Sequence, residues 1–292
     1  MRPRARRIVT TVVAVAAALL LAIGGNALGR YTGWTVPRLD PVALSAKLAP
    51  FYRVKKPDGP GPFPTALLLS GCDGPQDNLN SWAAALKAEG WASIVVDSHG
   101  PRGFSDYEVW RLVCTGQILM GSERAGDALV ALDDARRMRF VDPRRLVLLG
   151  ASHGGWTIMD QLALDPPRRL PTNLAAVPPY APPDPLDGLV GVVLLYPYCG
   201  TANRARRHPW TRPVPTLFVL AEDDAIAPSG RCVALADALG AAGVPVAVEL
   251  LAGVTHGFDQ QQRAALSTLA FDPTATAEAE RLVAGFLAAL AP

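Results

Sequence analysis

Three residues in this chain have the types and the order that nucleophilic acyl chemistry needs. Ser152 sits in Val147-Leu148-Leu149-Gly150-Ala151-Ser152-His153-Gly154-Gly155-Trp156, a GxSxG pattern where one apolar run stops and another begins. A serine hydroxyl is a poor nucleophile until a base takes its proton, and the chain offers four histidines. His153 adjoins the serine and would point away from its oxygen. His208 lies in the basic stretch RARRHPW, and His99, in VVDSHGPRG, follows a strand and could line a pocket. His256, in LLAGVTHGFD, occupies a loop after the last expected strand and is the best-placed base. The base in turn needs a carboxylate to fix its tautomer. LFVLAEDDAIAP supplies Glu222, Asp223 and Asp224 just past a strand end, with Asp224 favoured and Asp223 the fallback. The chain order is serine, acid, histidine, with gaps of 72 and 32 residues, one of the orders in which such a triad occurs.

These side chains work only if regular elements hold them. Short apolar runs at Thr65–Ser70, Ala92–Asp97, Arg145–Gly150, Leu189–Tyr196, Thr216–Ala221 and Val246–Leu251 read as strands, most buried on both faces, with Phe51–Val54 a further edge strand. Leu79–Glu89, Glu123–Arg137, His153–Leu164, Arg231–Ala241 and Ala277–Leu290 read as helices. Repeated βα units imply a mostly parallel sheet with helices on both faces and reactive groups beyond the strands' carboxyl ends. Ser152 then stands at a strand–turn–helix, with Gly150 and Gly154 allowing close packing around it. The His153 N–H at the helix start and the Cys72 N–H, after Gly71 in the loop following TALLLS, are the expected oxyanion donors. The proline-rich stretch Asp165–Asp187 interrupts the rhythm, as an inert excursion or a lid, with its placement slightly favouring the lid.

A chain of 292 residues, 50% hydrophobic and 18% charged, suits one substantial domain. Five arginines in the first thirty residues outweigh the net charge of +2, so the remainder is mildly acidic and nucleic-acid binding gains no support. Arg2, Arg4, Arg6 and Arg7 precede an apolar run from Ile8 to Ile23, and Gly25-Asn26-Ala27 offers small residues for signal cleavage. Sixteen residues are long for a signal and short for a membrane span, so cleaved signal and anchor both stay open over residues 1–30. The arginines are cytoplasmic in either case, which places the protein in the periplasm or outside the cell. Residues 31–49 read as a linker and 50–292 as the domain. Cys72, Cys114, Cys199 and Cys232 agree with export but also suit buried thiols. Of three pairings, Cys72–Cys114 with Cys199–Cys232 comes first because the partners are sequence neighbours.

With these pieces placed, the chain from about Pro50 resembles the dienelactone hydrolase family of α/β-hydrolases. The resemblance rests on LLLSGCDG, VVDSHGPRG, VDPRRLVLLGASHGG, LLYPYCG, LFVLAEDDAIAP and LLAGVTHGFD. It implies Ser152 as nucleophile, Asp224 as acid and His256 as base, acting on a small-molecule ester or lactone through an acyl-enzyme without metal or cofactor. Two departures stand out. The namesake enzymes are cytoplasmic and carry cysteine in the same elbow, so ordinary esters or lactones are favoured over dienelactones. Arg102 is a candidate partner for a substrate carboxylate, although a loop arginine more often serves a structural ion pair, and Trp156 and Tyr198 are candidates for the acyl pocket or for the core. Acyl transfer or peptide cleavage by the same triad, and a non-catalytic exported binding protein, are the competing readings. The oligomeric state is not specified by these patterns.

Overall fold

The computed structural model describes residues 3–263 and 267–290; Arg2 and the side chains of Arg4 and Arg6 lie outside it. The strands are β1 (Arg53–Lys55), β2 (Phe63–Leu69), β3 (Ala92–Val96), β4 (Val141–Ala151), β5 (Leu189–Leu195), β6 (Thr216–Ala221) and β7 (Val246–Leu251). They form one sheet in the order β1-β3-β2-β4-β5-β6-β7, with β1 antiparallel to β3 and every other pairing parallel. The helices are α1 (Pro3–Thr32), α2 (Pro41–Leu48), α3 (Asp77–Ala88), the short turn α4 (Asp106–Glu108), α5 (Gly121–Arg136), α6 (His153–Leu164), α7 (Gly230–Ala241) and α8 (Pro273–Ala289). This is the expected α/β-hydrolase architecture.

Period-2 alternation sends strand side chains into two cores. Leu67, Leu69, Leu146 and Leu148 face α2, α5, α6 and α7. Ala66, Leu68, Val147 and Leu149 face α3 and α8. The central strands are buried on both faces, whereas β7, at the edge, leaves Val248 and Leu250 exposed. The chain runs outward from β2 to β3 and then crosses to β4 on the other side of β2. That reversal opens a crevice beyond the carboxyl ends of β2 and β4, where ligands bind in such sheets.

Two expectations need correction. Residues 31–49 are only partly a linker. Asp40 caps α2 by accepting the N–H groups of Val42 and Ala43, and the helix seats Leu44 and Leu48 in the core. Each such leucine contributes about 2 kcal/mol, so the folded unit begins ahead of Pro50. The proline-rich stretch 165–187 is not a lid. It buries Leu174 and exchanges hydrogen bonds with Leu39 through Asn173 O and Ala175 N. Its middle packs along α5, with Thr172 N–H donating to Ser122 O and Asn173 Nδ2 to Asp127 Oδ1, and none of its residues lines the cavity over Ser152.

Candidate active site

Ser152 occupies the tight turn between β4 and α6 with φ 51° and ψ −111°, a left-handed conformation that a non-glycine residue adopts only under strain. The surrounding glycines allow it. A Cβ on Gly154 would lie 2.1 Å from Leu69 O, and one on Gly150 would lie 2.5 Å from the Gly154 carbonyl carbon. Beyond β7, His256 brings Nε2 to 2.8 Å from Ser152 Oγ, and its Nδ1 lies 2.6 Å from Asp224 Oδ2. The other oxygen of Asp224 accepts the N–H groups of Ile226 and Ala227 at 2.9 and 2.7 Å. The acid is thus buried, fixed and aimed. Asp223 and Glu222 are exposed. Tyr196, at φ 35°, packs its ring edge against His256 with centroids 4.9 Å apart. Its hydroxyl donates to Asp259 Oδ1 at 2.5 Å, and Trp82 Nε1 donates to Oδ2 at 2.7 Å. Burial pushes the Asp259 carboxyl above its usual range, against these donors.

The loop after β2 runs against the serine, since a Cβ on Gly71 would lie 3.9 Å from Ser152 Cβ. His153 opens α6, so its N–H has no intrahelical acceptor. A fully buried arginine that sequence reasoning overlooked, Arg124 of α5, ties these parts together. It donates to Ser70 O at 2.7 Å, Ser70 Oγ at 2.9 Å and Ser98 Oγ at 3.1 Å, and its Nη1 lies 3.3 Å from His153 Nδ1. Burial lowers it to about 10, and burial beside it holds the His153 imidazole neutral. His99 does not line the cavity. Its Nε2 lies 2.9 Å from Cys72 O and steadies that loop, with burial lowering its pKa to about 3. His208 is exposed.

A cavity of about 400 Å³ opens over Ser152 and His256. Trp156 and Tyr198 line it, with ring centroids 5.0 Å apart. Arg102 does not. Its guanidinium forms a two-pronged pair with the buried Asp127 at 2.8 and 3.0 Å, because a carboxylate that deep needs a counter-charge. Among the described residues, no lysine or arginine lines the cavity; its carboxylate is Asp73, held by Gln260 Nε2 at 2.7 Å and pushed up by burial.

The cavity's cover comes from the connection between β3 and α5, through Trp110, Cys114, Gly116 and Met120. Sequence reasoning missed it, although one signal was available. A strand-to-helix connection emerges at the carboxyl ends, where the serine is, whereas 165–187 is a helix-to-strand connection. Cys72–Cys114 ties this cover to the loop after β2, and Cys199–Cys232 forms the second disulfide. These are the pairings expected first.

Comparison with known proteins bears on the fold and the family. Thermogutta terrifontis esterase 2 superposes with a TM-score of 0.61 at 16% identity, over 82% of this chain and 88% of that one. A dienelactone hydrolase-like promiscuous phosphotriesterase from metagenomic libraries gives 0.57 at 18% identity, over 82% and 98%. The acylamino-acid-releasing enzyme of Arabidopsis thaliana is 24% identical over 201 residues, 61% of this chain and 25% of that protein. The dipeptidyl-peptidase 5 of Porphyromonas endodontalis is 28% identical over 102 residues, 33% of this chain and 14% of its own. This chain thus spans a quarter or less of these two curated relatives. The dienelactone hydrolase family profile covers residues 52–290, from the edge of β1 to the end of α8, and therefore includes the elbow, the acid and the histidine. By that match over most of its length, the chain belongs to the dienelactone hydrolase family.

Proposed function

We propose that this protein is an exported serine hydrolase cleaving uncharged carboxylic esters or lactones, with Ser152 as nucleophile, His256 as base and Asp224 as the acid that orients it. The observation that carries the reading is the unbroken line from Ser152 Oγ to His256 at 2.8 Å and on to Asp224 at 2.6 Å, set on a strained turn at the cavity floor. His256 Nε2 takes the hydroxyl proton as Oγ bonds to the carbonyl carbon. The developing oxyanion receives the N–H groups of Cys72 and His153. Collapse breaks the bond to the alkoxide, which leaves with the proton from His256. Water, deprotonated by the same imidazole, attacks the acyl-enzyme; the acid departs and Ser152 regains its proton. Asp224 stabilises the imidazolium through its bond to Nδ1. With Arg102 held by Asp127 and Asp73 facing the cavity, a substrate carboxylate would meet no counter-charge. Neutral esters fit; carboxylate-bearing dienelactones do not.

Turnover of p-nitrophenyl esters from acetate to decanoate tests this beside Ser152→Ala, which is expected to lose about 10⁴-fold or more in kcat. Thermogutta esterase 2 has been captured phosphonylated by cyclosarin, so a serine-directed phosphonate is the matched probe. Equal turnover by wild type and Ser152→Ala, with no phosphonate adduct on Ser152, would leave a non-catalytic binding protein as the better account.

A further inference from the structure

The N-terminal helix does not simply precede the domain; it helps build the cavity. Helix α1 continues through Gly25-Asn26-Ala27, and Ala27 lines the cavity over Ser152. Its last turns are fastened to the cover and to the domain. Asn26 Nδ2 donates to Gln117 O at 2.8 Å and to Gln117 Oε1 at 3.0 Å. Arg30 pairs with the buried Glu123 at 2.9 Å. The Arg204 guanidinium stacks on Tyr31, 4.6 Å from the ring centroid, and donates to Tyr31 O.

Upstream of these contacts the helix leaves the protein. The segment Val9–Thr32 is 24 residues long with mean hydropathy 2.1, and 6% of its most apolar window is buried. Leu20 and Leu21 are 70% and 77% exposed. The stretch ahead of these contacts, residues 9–25, rises about 26 Å at 1.5 Å per residue, the short end of what crosses a hydrocarbon core of about 30 Å. Four arginines mark its far end. Trp34, 90% exposed, stands just beyond its near end, where membrane proteins concentrate tryptophan. The cavity rim adds exposed Trp110 and Ile226. A water-facing mouth has no use for this apolar collar.

We propose that α1 is retained as a membrane anchor whose last turns form part of the cavity wall. The mouth then opens at the bilayer surface, and the substrates are amphiphilic esters dissolved in the membrane, which deepens the hydrolase reading and rests on it. The lipid bilayer is the occupant that covers the exposed face of α1. Fastening at Asn26 and Arg30 holds the mouth at headgroup level, so an acyl chain passes from lipid to Ser152 alongside Ala27 and Trp110.

The test uses the full chain in phosphatidylcholine–phosphatidylglycerol vesicles. Lipids brominated near the carbonyl are expected to quench tryptophan emission, with Trp34→Phe and Trp110→Phe each removing part of the quenched signal. Hydrolysis is followed on p-nitrophenyl palmitate dissolved in the vesicles and on p-nitrophenyl acetate in water. Asn26→Ala/Arg30→Ala, which unfastens the helix, is expected to lower palmitate turnover about tenfold and leave acetate turnover within about twofold. Arg30→Lys, tested alone, should retain most palmitate turnover. Absence of quenching, equal losses on the two esters, or a mature N-terminus beyond Ala27 would overturn the proposal while leaving a working hydrolase. No turnover of either ester and no phosphonate adduct, with quenching intact, would instead sink the hydrolase reading.

Discussion

Asp224 separates orientation from mere charge. Its Oδ1 accepts two backbone N–H groups and its Oδ2 alone meets His256. Asp224→Asn can keep the first pair of bonds, while its amide group turned toward Nδ1 imposes the wrong imidazole tautomer. A kcat loss of about 10⁴-fold with an unchanged melting temperature is expected, read from ester kinetics and calorimetry. Asp160 of α6 has the opposite role, since it lies off the reaction path. It is fully buried, accepts the Arg204 N–H at 2.7 Å, and burial raises it to about 7. Below the unfolded carboxyl's pKa both states hold the proton, so this residue adds no pH dependence. Above it the unfolded chain ionises first and stability falls, until the native carboxyl also ionises near neutrality; the loss amounts to about 4 kcal/mol. Asp160→Asn keeps the acceptor without titrating. Its melting temperature should therefore gain on wild type between pH 4 and 7 and level off above that, and a gap that stays constant across this range would refute the assignment.

The two disulfides distinguish elements that hold the fold from elements that hold the site. They close loops of 42 and 33 residues, so each is worth roughly 4 kcal/mol through the unfolded chain. Only Cys72–Cys114 joins the loop carrying the proposed oxyanion donor to the cavity's cover. Replacing both of its cysteines with alanine is expected to cut kcat about 10²-fold. The same change at Cys199 and Cys232 should lower melting temperature about equally while kcat stays within about threefold. Equal kinetic losses from the two pairs would remove Cys72 from the oxyanion site. The same contrast explains what the sequence revealed. Strands β2 to β6 were legible because burial on both faces leaves unbroken apolar runs, and the elbow because no side chain fits at Gly150 or Gly154. The cover was not legible. Val109–Val113 forms one π-helical turn, which breaks the α-helical period, and the Cys114 beside it is tied to Cys72. Residues 165–187 announced a loop by their prolines, but composition does not say at which end of a sheet a loop lies. For Arg102 the sequence left substrate carboxylate and structural ion pair both open, because its partner, Asp127, is distant in sequence and next to it in space.

For the whole molecule, the charge at the far end of α1 and the redox state of the domain are linked by topology. Arginines 2, 4, 6 and 7 come ahead of the apolar run with no acidic residue among them, a bias that under the proposed anchoring would keep this end in the cytoplasm and send the domain across the membrane. Both disulfides then form in an oxidising compartment. Replacing these four arginines with glutamate should reverse the orientation and retain the domain where thiols stay reduced. Wild-type protein, trapped in acid and treated with a maleimide of added mass after denaturation, is expected to show no modified cysteine, and the glutamate variant four. Ester hydrolysis should fall with the disulfides, because the loop bearing Cys72 loses its tether to the cover. Four reactive thiols in the wild type would place the domain in the cytoplasm. Anchor, cysteines and site would then be unconnected features of the chain instead of parts of one arrangement.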